Sequence, residues 1–158
     1  MRDLSSLQIF LRDYQGFEES RRQLLIQSPS GVINWVTLST AQYLNKNYEA
    51  AMNSIQTLFK FYDNDQKIMK KHEVSEAVLF ACRILQKQGK DKEALQFLAS
   101  RDKVVCDDVK KTEYYGYFHE QTGNREKALE YYEFLLQLNS ANLETYKQIF
   151  RAKGIALP

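Results

Sequence analysis

One small residue returns along this chain with the same neighbours each time: Ser20, Ala51, Ala94 and Ala128, with the widest gap between Ala51 and Ala94. Four residues after each stands Leu24, Ile55, Leu98 or Tyr132, and thirteen before each stands Leu7, Leu38, Ala81 or Tyr115. Side chains four apart share one face of a helix, and the position thirteen before falls on the preceding helix of a pair. Two antiparallel helices that cross closely need a small side chain at the crossing, the role assigned to these four positions. A second small position faces it twelve residues earlier: Gln8, Ser39, Cys82 and Gly116. Three of these fit, and Gln8 predicts looser packing in the first pair. A single helix pair cannot bury its apolar face alone, so such pairs stack on their neighbours.

A two-helix unit of roughly 34 residues is the tetratricopeptide pattern. The expected fold is all-α, a tetratricopeptide-repeat α–α superhelix (a right-handed solenoid) of about four helix pairs plus an incomplete terminal helix. The units fall approximately at 1–31, 32–65, 66–106 and 107–141, with a partial unit over 142–158, as one solenoid segment. Residues 2–12 read as a helix broken at Asp13 to Gly16, and a second helix closes at Ser28 to Gly31. Residues 32–45 follow, then a turn at Asn45 to Asn47 and a helix through Tyr48, Ala51, Ile55 and Leu58. Phe61 to Val74 reads as a polar loop or an early extra helical turn. Gly89 and Gly123 sit where helices 75–88 and 108–122 need a left-handed C-cap. Their partners are Lys92–Ala99 and Arg125–Leu138, and Leu143–Lys153 opens a fifth unit. In that last helix Leu143, Tyr146, Ile149 and Phe150 read as uncovered. The expectation is a segment excised from a longer solenoid, with Met1 an added start and apolar ends prone to self-association.

Composition narrows the function classes. Hydrophobic residues are 44% and aromatic residues 13%, enough for a packed core, while two prolines and six glycines favour long helices. With 22 basic and 20 acidic residues the net charge is only +2, without the strong basic excess that direct DNA binding uses. Cys82 and Cys106 lie far apart with no CxxC and only His72 and His119 beside them, so no zinc site is read. A reduced, cytoplasmic setting is expected. No stretch approaches the roughly 18 apolar residues of a membrane span.

Few motifs carry chemistry. Gln86-Lys87-Gln88-Gly89 matches the start of the Q/R-x-x-G-x-G/A turn that holds the pyrophosphate of acetyl-CoA, but Asp91 puts a carboxylate at its sixth position. Gly89 is accounted for as a helix cap, and no cofactor, metal or catalytic residue is assigned. His119 reads as a general base or as a packing residue with a polar tip. Lys67, Lys70, Lys71 and His72 form the densest basic cluster, either a contact for an acidic partner or ribosomal RNA, or a solvated loop face. Tyr115 and Tyr132 fall on core positions. Tyr114 and Tyr117 fall on the other side of the first helix of the fourth unit, the side that lines the concave groove. With Glu113 and Glu120 they form a candidate partner contact, since tyrosine joins a rigid apolar body to a polar tip. The bland alternative is packing against the neighbouring helix. Glu113 and Tyr117 stand where a carboxylate clamp would need Lys, Arg or Asn.

Specific segments carry a resemblance. Arg2-Asp3-Leu4-Ser5-Ser6-Leu7-Gln8, Arg12-Asp13, Gly16-Phe17 and Arg22-Gln23-Leu24-Leu25 resemble the auxiliary subunit of the N-terminal acetyltransferase A complex. Trp35, Tyr48-Glu49, Ala51, Ala94-Leu95, Cys106-Asp107, Asn142 and Tyr146-Lys147 continue the match, which is patchy from Thr57 to Glu73. The resemblance implies a non-catalytic, all-helical scaffold that binds the catalytic acetyltransferase subunit and helps anchor the complex at the ribosome. Acetyl-CoA would belong to the catalytic partner. A generic adaptor capturing a short peptide or partner helix in its groove is the alternative, and catalysis by this chain itself is a third reading without a supporting motif.

Overall fold

The computed structural model describes residues 2–65 and 71–155. Among them the chain is all helix: α1 (Arg2–Phe10), α2 (Tyr14–Gln27), α3 (Val32–Leu44), α4 (Tyr48–Asn64), α5 (Lys71–Lys87), α6 (Asp91–Ser100), α7 (Asp108–Gln121), α8 (Arg125–Leu138) and α9 (Leu143–Ala152), with a 3₁₀ turn at Asp102–Val104. They form two compact units, Met1–Glu73 and Val74–Pro158.

A repeated turn joins the two helices of each pair. In all four cases it is three residues long: 11–13, 45–47, 88–90 and 122–124. The middle residue is left-handed, with φ of 56° at Arg12, 61° at Lys46, 69° at Gly89 and 86° at Gly123. The next amide reaches back over the helix end: Asp13 N–H to Gln8 O (2.8 Å), Asn47 to Gln42 (2.9 Å), Lys90 to Leu85 (3.0 Å), Asn124 to His119 (2.8 Å). These are Schellman caps, which satisfy carbonyls left open at the helix C-terminus. In three of the four the same residue then caps the next helix. Asp13 Oδ1 accepts from Gly16 N–H, Asn47 Oδ1 from Ala50 N–H and Asn124 Oδ1 from Lys127 N–H, at 3.0, 3.3 and 3.3 Å. The break expected over Asp13 to Gly16 is therefore tighter, and Gly16 lies in the first turn of α2.

The crossings fall where the spacing placed them. Ala51, Ala94 and Ala128 have no exposed surface and Ser20 is buried. Ser39, Cys82 and Gly116 face them, also buried. Burial pushes the Cys82 thiol up to about 12, so it packs as a small apolar group. At Gly116 an added Cβ would lie 2.5 Å from the Tyr132 ring. Large residues fill the rest: Leu38, Ile55 and Leu58 in the first unit; Val78, Ile84, Leu98, Phe118 and Tyr132 in the second.

Two expectations sharpen or change. Of the two readings of Phe61 to Val74 the helical one holds at its ends, since Phe61 to Asn64 is the last turn of α4 and Lys71 to Val74 open α5; 66–70 lies outside the described residues. Ile149 is buried in a cluster with Ala128, Tyr132, Leu135 and Ala152, because α9 packs on α8; Leu143, Tyr146 and Phe150 remain exposed. Gln8 spans the first crossing, its Oε1 accepting from Ser20 Oγ at 3.0 Å, and with Leu7 beside it 52% exposed the first pair is the looser one expected.

Candidate partner-binding groove

The first helices of the second unit, α5, α7 and α9, line a groove of about 610 Å³. Its walls follow the repeat. Glu76, Lys110 and Glu144 occupy one position of successive units, as do Phe80, Tyr114 and Gln148, and Arg83 and Tyr117. Caps set that register. Asp107 Oδ1 accepts from Lys110 N–H at 2.9 Å to start α7. Asn142 Oδ1 accepts from the amides of Glu144 (3.1 Å) and Thr145 (3.4 Å) to start α9.

Packing below the groove orients its aromatics. Phe118 is fully buried; Tyr114 stacks on it with ring centroids 5.6 Å apart and 11° between planes, and Tyr117 meets it edge-on at 5.5 Å and 75°. Each tyrosine thus rests its body on the core and turns a side to the groove. Glu113 lines the groove too and pairs with Lys110 at 3.2 Å, an exposed ion pair that contributes little to stability. The wall holds Glu76, Asp107, Glu113 and Glu144 against Arg83 and Lys110, so it is acidic with an aromatic centre.

Glu120 is placed differently from its neighbours. Its Oε2 accepts from Tyr132 Oη at 2.6 Å and its Oε1 from Arg151 Nε at 2.9 Å. It thereby ties α7 to both α8 and α9 and is not on the groove wall. Burial, then the Glu120 hydrogen bond, raises the Tyr132 hydroxyl's pKa, so that hydroxyl stays a donor. Sequence spacing does not reveal this tie, because Arg151 is 31 residues from Glu120. Lys67 and Lys70 lie outside the described residues, and Lys71 opens α5.

His119 faces the other side of α7. Its ring stacks on Tyr131 at 5.5 Å and 8°, and burial followed by the charge of Lys127 lowers its pKa. Tyr115 stacks on the same Tyr131 ring at 5.1 Å and 14°, and its hydroxyl donates to Asp102 Oδ1 at 2.9 Å. Tyr115 is only partly buried, not a full core residue. Gln86 to Gly89 ends α5 and turns through a left-handed glycine, which is a helix cap in geometry. No helix among the described residues is long and apolar enough to cross a membrane.

The model of the family described as N-terminal acetyltransferase A, auxiliary subunit, matches residues 72–158. The chain belongs to this family. Similarity to its members extends beyond that stretch. The chain is 28% identical over 159 aligned residues to the Arabidopsis thaliana N-terminal acetyltransferase A complex auxiliary subunit NAA15, covering 98% of this chain and 17% of that protein. It is 29% identical to the Mus musculus N-alpha-acetyltransferase 16, NatA auxiliary subunit, over 96% of this chain and 18% of the relative. A chain in the structure of Naa15/Naa10 bound to HypK-THB superposes with a TM-score of 0.84 at 30% identity, over 98% of this chain and 23% of that one. MamA of Desulfovibrio magneticus superposes at 0.80 over 97% of this chain and 81% of its own, but at 13% identity this likeness shows the fold alone. The chain spans under a fifth of the curated relatives' length. The family model lies on the second unit, whereas the most specific sequence resemblance lies in Arg2 to Pro29; the relatives align across both.

Proposed function

We propose that this chain is a scaffold segment of the auxiliary subunit of an N-terminal acetyltransferase A complex. It binds the catalytic acetyltransferase subunit, helps the complex associate with the ribosome for co-translational N-terminal acetylation, and works in the cytoplasm. It catalyses nothing itself and takes no cofactor; acetyl-CoA belongs to the partner. The observation that carries this reading is the family match over the unit that holds the groove. The 30% identity to a chain in the Naa15/Naa10 structure supports a role bound to a partner. The proposed contact residues are Glu113, Tyr114 and Tyr117 on the groove wall, with Glu120 supporting them from behind. Lys67, Lys70 and Lys71 are a second proposed contact for an acidic surface. Self-association through the exposed Leu143 and Phe150 of α9 is proposed for the isolated segment.

Co-expression of this chain with the small catalytic acetyltransferase tests the reading. Co-purification is expected, with a clear loss on Tyr117→Ala and Glu113→Lys. Absence of any complex, or acetyl-CoA turnover by this chain alone, would sink it. The regular spacing of groove residues favours one competing reading, an adaptor that binds a short peptide or partner helix in that groove. Pull-down from source-cell lysate that recovers a peptide ligand and no acetyltransferase would favour the adaptor.

A further inference from the structure

Helix α8 is apolar on two faces. Ala128, Tyr132 and Leu135 are buried in the repeat core. About a quarter-turn round the helix, Tyr131, Phe134 and Leu138 form a second stripe at i, i+3 and i+7, with Phe134 and Leu138 each 46% exposed. A helix that fills the core with one stripe has no structural need of a second. Tyr131 and Phe134 of this stripe line an open cavity of about 880 Å³, flanked by Leu95 and Ala99 of α6 and by Tyr115 and His119 of α7. It lies wholly within the second unit and shares no lining residue with the α5–α7–α9 groove.

Its walls are three near-parallel rings. Tyr131 covers both Tyr115 and His119, at 5.1 and 5.5 Å. Its lining carries Asp102, Asp108 and Glu130 against Lys111, with Lys127 near enough to act on His119. Lys111 Nζ is already shared between Asp102 at 3.7 Å and Asp108 at 3.3 Å. Glu130 is exposed and has no ion pair or hydrogen bond among the described residues. Aromatic rings and an unbalanced carboxylate attract the same ligand group, a cation on an apolar stem.

We propose that this cavity is a docking slot for an arginine or lysine side chain carried on an apolar segment of a partner protein. The cation sits between the aromatic wall and Glu130, and the flanking apolar residues of the segment cover Phe134 and Leu95. This surface is separate from the groove through which the scaffold reading works, so either can fail without the other.

Titration of the whole chain with a blocked leucyl-arginyl-leucine tripeptide, followed by the aromatic proton signals, tests the slot. The matched control replaces arginine with citrulline, which keeps the shape and removes the charge. The arginine peptide should shift the Tyr131 and Phe134 signals and bind at least about fivefold more tightly than the control. Glu130→Gln should erase most of that preference with an unchanged circular dichroism spectrum and midpoint, since Glu130 holds no folded-state contact. Phe134→Ala should weaken both peptides. Equal binding of the two peptides overturns the proposal, as does no binding at millimolar concentration. So do shifts confined to Tyr114 and Tyr117. Sedimentation that shows a dimer of the wild-type chain broken by Phe134→Ala assigns the face to a second copy and overturns the partner.

Discussion

The crossing of α1 with α2 and that of α7 with α8 solve one problem in opposite ways. In the first pair the contact is polar and partly wet. Gln8 and Ser20 meet through a hydrogen bond, while Leu7, at the expected core position, is 52% exposed. In the fourth pair Gly116 and Ala128 have almost no side chain, and Tyr132 fills the space between them. A small residue at a crossing thus has a cost that depends on its partner. Where a large ring has grown into the gap the position tolerates nothing more; where a long amide spans it, the position is nearly free.

Gly116→Leu should break the contrast most strongly, because its Cβ alone would sit 2.5 Å from Tyr132. A loss of about 3 kcal/mol is expected from overpacking, read as the shift in urea midpoint; an unchanged midpoint would mean that Tyr132 can leave the gap. Next comes Glu120→Ala, which leaves the Tyr132 hydroxyl buried without its acceptor and frees Arg151. About 2 kcal/mol is expected from the unmade hydrogen bond, with faster amide exchange in α9 than in α7. A smaller effect is acid sensitivity at His119. Its folded pKa is lowered below the unfolded value, so the folded chain prefers the neutral ring. The stability it gives is present above about pH 6.5 and is lost as pH falls through the lowered folded value. His119→Phe should flatten the fall in melting midpoint between about pH 7 and pH 5, and an identical slope in both proteins would remove His119 from the account. Smallest is Ser20→Ala, expected within about 0.5 kcal/mol because Gln8 can turn to water. Ser54→Ala sharpens the point: its hydroxyl donates to Gln42 at 2.7 Å between two buried residues, and a loss of about 1 kcal/mol is expected.

What the sequence made legible was local. Gly89, Gly123 and the alanines at the crossings carry their roles in their own chemistry, and the turn at Asn45 to Asn47 announces itself by composition. The groove face of α7 followed from the same period, which put Tyr114 and Tyr117 on one side. What stayed hidden depends on residues far apart in the chain. The tie from Glu120 to Arg151, the burial of Ile149 under α8, and the stack of Tyr115, Tyr131 and His119 all need the second helix in place. Gln8 with Ser20 was the exception within reach. Two polar residues stood together at a paired spacing where the other units place small ones, and that coincidence was itself the signal.

The three-residue Schellman turns also bear on how such a chain can change length. Each turn inside a pair is held at both ends, by the cap of one helix and by the start of the next. The stretches between pairs vary more: 28–31 and 139–142 are shorter than 101–107, although Asp107 and Asn142 still cap the helices that follow. The widest gap between crossings, from Ala51 to Ala94, contains the 17-residue α4 and α5. The helical hairpin is therefore the fixed brick and the joint between bricks the adjustable mortar. A tag, a spacer or a protease site belongs at 28–31 or 139–142, where an insertion changes the joint and leaves every hairpin closed.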